Sequence, residues 1–287
     1  MFSLIVATLN RVDELDRLLT SLDAQDCRQF EVLIVDQNSD DRLTPVLQRH
    51  PGLSVQHLSS SRGLSRGRNL GLSRVTGEII AIPDDDCWYP PNLLVQIAAW
   101  FASHPEFGVL SVIKKSADNT PVGPNWPRSA QEVTRKSVWH SAISSTIFMR
   151  RKVVESVGLF NEDIGVGCSS RYQSGEETEY LLRAMRNGFR IWYEPSLTVH
   201  HPNLHSIERL REKTYPYALG AGYVLRIHGY SWVDFAEYVV RSVGGAVVSL
   251  GKGDISMSQL YLLRAAGQLR GYFWGPRDLA RYHAQSH

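Results

Sequence analysis

Short runs of β-branched residues alternate with segments of helical periodicity through the first 115 residues of this 287-residue chain. Leu4, Ile5 and Val6 are typical of a buried strand, and residues 12–22 repeat apolar side chains at a helical spacing. The alternation continues to a strand predicted over residues 108–113. It predicts an α/β fold, a mostly parallel sheet covered by helices on both faces. Ligands bind at the carboxyl ends of the strands in such sheets, so we expect the functional residues in the loops that follow strands.

Composition excludes several classes of protein. Hydrophobic residues make up 43% of the chain and charged residues 21%, which excludes a largely disordered protein. The net charge is only +2, whereas nucleic-acid-binding proteins usually have a clear basic excess. The basic excess lies in residues 205–287, where ten Lys and Arg face six Asp and Glu.

The cysteines and the apolar runs bear on localisation. Cys27, Cys87 and Cys168 are far apart, which argues against a disulfide scaffold and against a zinc cluster. The first residues lack the basic region of a signal peptide, and no run of about 18 apolar residues is present. These features predict a cytoplasmic protein.

Three adjacent aspartates, Asp84, Asp85 and Asp86, follow directly after a strand predicted over residues 78–82. Their like charges repel one another, and burying them without a cation is costly. A divalent cation bound by one or two of them removes that cost, and Mg²⁺ and Mn²⁺ favour such oxygen ligands while leaving positions open for phosphates. A solvated acidic turn that caps the next helix is an equally good interpretation of these residues alone.

Two other segments also follow predicted strands. Asp36 ends the second strand, where a carboxylate can accept hydrogen bonds from a ribose or a base, or can cap a turn. Residues 62–71 combine three glycines and three arginines at the start of a helix, a pattern that suits an anion such as pyrophosphate and equally suits a basic surface helix. The segment lacks the glycine patterns of P-loop and dinucleotide-binding motifs.

Two candidates lie later in the chain. Glu177 begins a predicted helix and is either a general base in a cleft or, with Ser174 three residues earlier, part of a capping box. His200 and His201 follow a predicted strand and suit a metal site only if the aspartates supply the other ligands.

Taken together and in this order, these segments resemble the family 2 glycosyltransferases, which have the GT-A fold. The resemblance covers roughly residues 3–203, and its motifs occur in the order of the family. These motifs are Ile5 to Arg11, the strand ending in Asp36, Gly67-Arg68-Asn69-Leu70-Gly71, Pro83-Asp84-Asp85-Asp86, Gly158-Leu159-Phe160-Asn161-Glu162, Gly175-Glu176-Glu177, and Tyr193-Glu194-Pro195 followed by His200-His201.

The resemblance implies a nucleotide-sugar donor, with a UDP-sugar favoured, and a divalent metal, Mn²⁺ or Mg²⁺, that bridges the two donor phosphates. It implies inversion at the anomeric carbon, with Glu177 as the base that deprotonates an acceptor hydroxyl. The residues carried over by matching position are Ala7, Asp36, Gln37, Arg68, Asp84 and Asp85 for the donor, and Asp85, Asp86, His200 and His201 for the metal.

The chain departs from the common family pattern in three places. Gln37 stands where the residue after Asp36 is usually acidic, three aspartates replace the usual Asp-x-Asp, and Glu177 replaces the usual aspartate with a longer side chain. Small misplacements matter at a catalytic base. The Gln-x-x-Arg-Trp motif of processive synthases is absent, which points to transfer of a single sugar, in the synthesis of a cell-surface polysaccharide or glycoconjugate.

The domains are expected to be a GT-A catalytic domain over residues 1–204 and a helical extension over residues 205–287. Helices are predicted near 205–228, 232–250, 256–272 and 276–284. Aromatic and basic residues interleave in the extension, which suits peripheral contact with the inner membrane surface; packing on the catalytic domain or on a homodimer partner is the alternative. The membrane is slightly favoured, because acceptors in the family are often lipid-linked sugars.

Two other functions compete with an active transferase. A degenerate relative would bind a nucleotide-sugar or a glycan without turnover, as the glutamate at position 177 suggests. A nucleotidyltransferase also uses aspartates and a metal, but the chain lacks a glycine-rich, lysine-bearing triphosphate loop. The sequence therefore favours a transferase that uses a glycan or lipid-linked acceptor.

Overall fold

A computed structural model describes residues 1–123, 125–202 and 207–274, apart from the side chain of Arg209. These residues form two compact units. The first contains Met1–Phe160 and the described residues from Tyr180 to Pro202, and the second contains Asn161–Glu179 and the described residues from Ile207 to Trp274. Residues 161–179 therefore group with the C-terminal helices, whereas the sequence predicts a single boundary at residue 204.

The strands of the first unit form one sheet. They are β1 (Phe2–Thr8), β2 (Phe30–Asp36), β3 (Val55–Ser59), β4 (Ile79–Ala81), β5 (Phe107–Lys115), β6 (Gln131–Glu132), β7 (Ile147–Arg150) and β8 (Arg190–His200). The sheet has the order β3-β2-β1-β4-β7-β5-β8-β6. Neighbouring strands are parallel except at β7, which is antiparallel to β4 and β5, and at β6, which is antiparallel to β8.

Helices connect the strands. They are α1 (Asp13–Asp23), α2 (Thr44–Gln48), α3 (Leu64–Leu72), α4 (Leu93–Ser103), α5 (Val138–Ser141), α6 (Arg151–Val157) and α7 (Glu176–Arg186), whose first turn belongs to the second unit. Every residue of β2 is buried, and α1 buries Leu15, Leu18, Leu19 and Leu22 against the sheet. The predicted α/β class is confirmed, because continuous apolar strands buried on both faces need helices on each side.

One segment predicted as a loop contains a strand, and one predicted helix lies outside the described residues. Residues 119–135 show no helical or strand period in the sequence, which predicts a loop, but they contain the short strand β6, in which Gln131 and Glu132 pair with Tyr193 and Trp192 of β8. A two-residue strand is too short to show an alternating pattern in the sequence. The helix predicted over residues 276–284 lies outside the described residues.

The second unit is built on α8 (Ile207–Ile227), α9 (Trp232–Gly251) and α10 (Ile255–Trp274). Glycines allow α8 and α10 to approach closely, since a Cβ at Gly271 would lie 2.2 Å from the carbonyl oxygen of Leu219. Residues 161–175 pack on α8, where Tyr172 stacks on Tyr223 with ring centroids 4.2 Å apart. None of the described helices is both long enough and apolar enough to span a bilayer.

Candidate functional site

Two carboxylates and one imidazole converge where β4 and β8 end. Asp84 and Asp86 lie in the turn after β4, and His201 comes directly after β8. The ligand atoms of these three residues all lie within 4.8 Å of one another, and His201 Nε2 is 3.0 Å from Asp86 Oδ1. Oxygen and imidazole ligands at this separation could hold a divalent cation.

The other two predicted metal ligands lie outside this group. Asp85 forms an ion pair with Arg11, whose Nε is 3.6 Å from Asp85 Oδ1. The ring of His200 stacks on Trp88 with centroids 5.5 Å apart, and its Nδ1 lies 3.2 Å from the carbonyl oxygen of Ser116. Of the four predicted ligands, the structure therefore brings together Asp86 and His201, with Asp84 as the third member of the group.

Two arginines of the first helical connection face the acidic turn, and the sequence analysis did not single out either. Arg11 forms an ion pair with the side chain of Asp86 as well as with Asp85. Arg17 donates from its guanidinium to the carbonyl oxygen of Asp86 at 2.8 Å and lies over the ring of Trp88. The only sequence signal was the place of Arg11 at the end of the first motif.

The two aspartates beside Arg11 have opposite electrostatic environments. Burial raises the pKa of Asp85 to about 7, and the positive charge of Arg11 opposes that rise only in part. Burial would also raise the pKa of Asp86, but its hydrogen bond to His201 and the charges of His201 and Arg11 outweigh burial and hold that pKa below its usual range. Asp86 is therefore the member of the pair whose charged form is stabilised.

Asp84 is held from the opposite side of the turn. Its Oδ1 accepts a hydrogen bond from the hydroxyl of Ser144 at 3.0 Å. The buried guanidinium of Arg68 in α3 lies 3.7 Å from the same oxygen and 5.6 Å from the ring centre of Phe160. The structure thus places Arg68 beside the acidic turn, and Ser144 is a site residue that no sequence motif indicated.

The predicted nucleotide-binding residues cluster at the ends of β1 and β2. Asp36 is buried and accepts hydrogen bonds from His57 Nε2 at 2.9 Å and from the backbone and side chain of Asn38. The amide of Gln37 donates to the carbonyl oxygens of Ser61 and Gly63, at 3.1 and 2.8 Å. Gln37 therefore ties the end of β2 to the loop before α3.

Ala7 of β1 packs against the first turn of α3 at Gly67. A Cβ at Gly67 would come within 3.0 Å of Ala7 Cβ and 2.9 Å of Gln37 Nε2, so a larger residue at position 67 would push α3 away from the sheet. The glycine of this motif is thereby explained by close packing of helix on strand.

Glu177 is the second residue of α7 and is partly exposed, whereas Glu176 beside it is buried. Gly175, which precedes the helix, has a φ of +94°, a backbone conformation that favours glycine. The hydroxyl of Ser174 donates to the carbonyl oxygen of Tyr217 in α8 at 2.8 Å. The start of α7 is therefore fixed by contacts within the second unit.

Comparison with known proteins places this geometry in a family. The family described as Glycosyl transferase family 2 matches residues 3–158. The uncharacterized glycosyltransferase YwdF of Bacillus subtilis is 24% identical over 56% of this chain and 62% of its own length. The poly(ribitol-phosphate) beta-N-acetylglucosaminyltransferase TarS of Staphylococcus aureus is 28% identical over 66% of this chain, but the match spans only 33% of TarS.

Solved structures share the fold. Residues 1–349 of S. aureus TarS, in complex with UDP-GlcNAc, superpose with a TM-score of 0.61 at 19% identity, over 100% of this chain and 92% of that one. The mannosyltransferase PcManGT of Pyrobaculum calidifontis, in complex with GDP-Man and Mn²⁺, gives a TM-score of 0.64 at 19% identity, over 96% and 88% of the two chains. The fold, the order of the motifs and the match over more than half of its length show that this chain belongs to glycosyl transferase family 2.

Proposed function

We propose that this protein is an inverting, metal-dependent glycosyltransferase that moves a single sugar from a nucleotide-sugar to a hydroxyl group of a glycan or lipid-linked acceptor in the cytoplasm. The observation that carries the proposal is the convergence of Asp84, Asp86 and His201 at the ends of β4 and β8 in a chain of this family. Synthesis of a cell-surface polysaccharide or glycoconjugate is the setting we favour.

The donor atoms of the site suit a divalent cation. Two carboxylate oxygens and one imidazole nitrogen favour Mn²⁺ over Mg²⁺, because Mg²⁺ is usually bound by oxygen ligands alone. Asp84, Asp86 and His201 would hold the ion, with Ser144 and Arg68 orienting Asp84. When bound, the metal would stabilise the negative charge that develops on the departing nucleoside diphosphate.

The residues at the ends of β1 and β2 would bind the nucleoside. Asp36 is positioned by His57 and Asn38, and we propose that it accepts hydrogen bonds from the nucleoside beside Ala7 and Gln37. A UDP-sugar is the favoured donor, supported by the UDP-GlcNAc bound to the related TarS structure.

Glu177 is the residue we propose as the general base. It would take the proton from the acceptor hydroxyl while that oxygen forms a bond to the anomeric carbon and the bond from that carbon to the diphosphate oxygen breaks. Attack opposite to the leaving group inverts the anomeric centre.

Thermal unfolding with a panel of nucleoside diphosphates, with and without Mn²⁺, tests the proposal. We expect one nucleotide to raise the midpoint of unfolding in a metal-dependent way. His201→Asn should lower the apparent affinity for Mn²⁺, read from the metal-dependent shift, at least tenfold. His200→Asn is the matched control and should leave that affinity unchanged, because His200 lies outside the metal group. Equal weakening in both variants, or a shift independent of metal, would contradict the assignment.

A catalytically degenerate binding protein is the second candidate, favoured by the longer side chain at position 177. The two functions differ in turnover: in an active enzyme, Glu177→Gln should abolish transfer to the acceptor while metal-dependent nucleotide binding persists. Binding of the donor without any turnover in the unmodified protein would favour the degenerate relative.

A further inference from the structure

Helix α9 buries only one of its faces. Its inner face packs on α10, where Phe235 stacks on Tyr272 with ring centroids 4.0 Å apart and the hydroxyl of Ser242 donates to Gln268 Oε1 at 3.0 Å. On the opposite side, which we call the outer face, Val240 and Val247 are each 66% exposed. The described residues thus leave a long apolar surface of α9 in contact with solvent.

The outer face has the spacing of a helix–helix seam. Its apolar residues follow one another at alternating intervals of three and four, at Val233, Ala236, Val240, Val243, Val247 and Leu250. This repeat of 3.5 residues is the pattern with which one helix packs along another. The 20 residues of α9 offer a seam about 30 Å long.

A glycine beside this seam has no close neighbour among the residues that the structure describes. A Cβ at Gly244 would meet no atom within 4 Å, whereas a Cβ at the neighbouring Gly245 would lie 2.7 Å from the ring of Tyr261 in α10. Glycine is unfavourable in the middle of a helix, so it is best explained where a neighbouring group approaches too closely for a side chain. At Gly245 the neighbouring group is the ring of Tyr261, and at Gly244 a second helix would be the close neighbour.

The charges of α9 distinguish between the surfaces that could cover it. The helix contains Asp234, Glu237 and Arg241, a net charge of −1, and Arg241 donates to Glu237 at 2.6 Å. Helices that bind anionic membranes are rich in Lys and Arg on their polar face, which α9 is not. The chain beyond the described residues, 275–287, contains Leu279 as its one Leu, Ile, Val, Met or Phe, too little apolar surface for such a seam.

We propose that the outer face of α9 is a dimer interface that pairs with the outer face of α9 in a second copy of this chain. A two-fold axis brings two identical apolar stripes together, and a nearly neutral helix meets its own copy without strong repulsion. This interface is independent of the proposed transferase activity.

Light scattering coupled to size-exclusion chromatography, over protein concentrations of about 1 to 100 μM, tests the interface. We expect the unmodified chain to have twice the 32.4 kDa mass of one copy at the upper concentrations, and Val240→Glu to have the mass of one copy. Val95→Glu is the matched control, because it makes the same change at a 46% exposed valine of α4. It should leave the dimer intact.

Gly244→Ala supplies a second, milder test. Within one copy a methyl group at position 244 meets no atom, so the substitution should preserve helicity and favour the helix. Across a close interface the same methyl group should weaken dimerisation at least tenfold. If no second copy packs against Gly244, the substitution should stabilise the helix without weakening dimerisation.

Three outcomes would overturn the proposal. The first is a mass of one copy at every concentration, and the second is a dimer that withstands both Val240→Glu and Gly244→Ala. The third is a chain that stays monomeric but sediments with phosphatidylserine vesicles in a way that Val240→Glu abolishes. That result would assign the outer face to a membrane surface.

Discussion

At the scale of single residues, the acidic turn packs against an arginine and a histidine of its own chain. Arg11 contacts both Asp85 and Asp86, and His201 contacts Asp86 from the other side. The charge of Arg11 thus offsets part of the cost of burying these carboxylates. A metal ion bound at Asp86 would have to compete with Arg11 for this carboxylate.

Replacement of Arg11 tests this competition. Arg11→Gln should tighten Mn²⁺ binding several-fold, because the ion no longer has to displace a guanidinium from Asp86, and it should lower the stability of the metal-free chain. Isothermal titration with Mn²⁺ and unfolding in denaturant measure the two effects. Arg42→Gln is a suitable control, since Arg42 pairs with the exposed Asp40. Weaker Mn²⁺ binding in Arg11→Gln would show instead that the arginine supports the ion.

The sequence indicated the acidic turn but did not show which of its three carboxylates lie beside one another. The position of three aspartates after a strand indicated the turn correctly, because strand ends are defined by strong hydrophobic patterns. Which carboxylates face His201 depends on the path of the turn, and neighbouring residues of a turn point in different directions. The structure places Asp84, rather than Asp85, beside Asp86 and His201, and Ser144 carried no signal because its contact with Asp84 spans 60 residues.

At the scale of elements, a buried carboxylate links the first strands to the turn before β4. Glu31 of β2 accepts hydrogen bonds from the hydroxyl of Ser3 at 2.5 Å and from the backbone and hydroxyl of Thr76, each at 2.7 Å. Burial would raise the pKa of Glu31, but these hydrogen bonds outweigh it and lower that pKa below its usual value. The ionised form of Glu31 is thus the form that stabilises the fold.

The sign of the pH dependence follows. Because the pKa of Glu31 is lower in the folded chain than in the unfolded chain, its contribution to stability is complete above about pH 4.5 and is lost as the pH falls through the folded value. Glu31→Gln should lower the free energy of unfolding at pH 7 by about 1–3 kcal/mol. It should also reduce the loss of stability between about pH 5 and 3.

Urea unfolding at several pH values measures both effects. Glu132→Gln serves as the control, because Glu132 is exposed and its pair with Arg190 lies on the surface, where ion pairs contribute little. An unchanged acid profile in Glu31→Gln would mean that Glu31 does not stabilise the junction through its charge.

Elements with strong periodicity were predicted well, and elements defined by long-range pairing were not. Helix α1 follows its apolar repeat closely, since a buried stripe of leucines is a local property of the sequence. The antiparallel direction of β7 between β4 and β5 depends on the course of the chain through α5 and the turn before β7. A local sequence pattern therefore cannot predict the direction of β7.

At the scale of the whole molecule, the second unit is discontinuous in sequence. Residues 161–179 join helices that begin some 30 residues later, and the contacts of Ser174 with Tyr217 and of Tyr172 with Tyr223 hold the segment on α8. A boundary drawn from composition divides a chain into consecutive pieces. The sequence therefore predicted the helical extension but not the loop that belongs to it.

A substitution in α8 tests this organisation without truncating the chain. A Cβ at Gly220 would lie 2.2 Å from the carbonyl oxygen of Ser174, a backbone atom that can move only if the loop moves. Gly220→Ala should therefore release residues 161–175 from α8, and backbone amides such as that of Gly165, bonded to the carbonyl of Tyr172, should exchange with deuterium about tenfold faster or more.

The same replacement in α9 separates this effect from a general change in helix stability. Gly244→Ala also adds a methyl group to a helix of the second unit, but there it meets none of the chain's described atoms, so exchange in residues 161–175 should stay as in the unmodified protein. If Gly220→Ala leaves that exchange unchanged as well, the loop does not depend on α8. Faster exchange confined to Gly220→Ala would instead establish that the start of α7, including Glu177, is positioned by α8, a helix outside the residues 3–158 that match the family, because Ser174 lies two residues before α7.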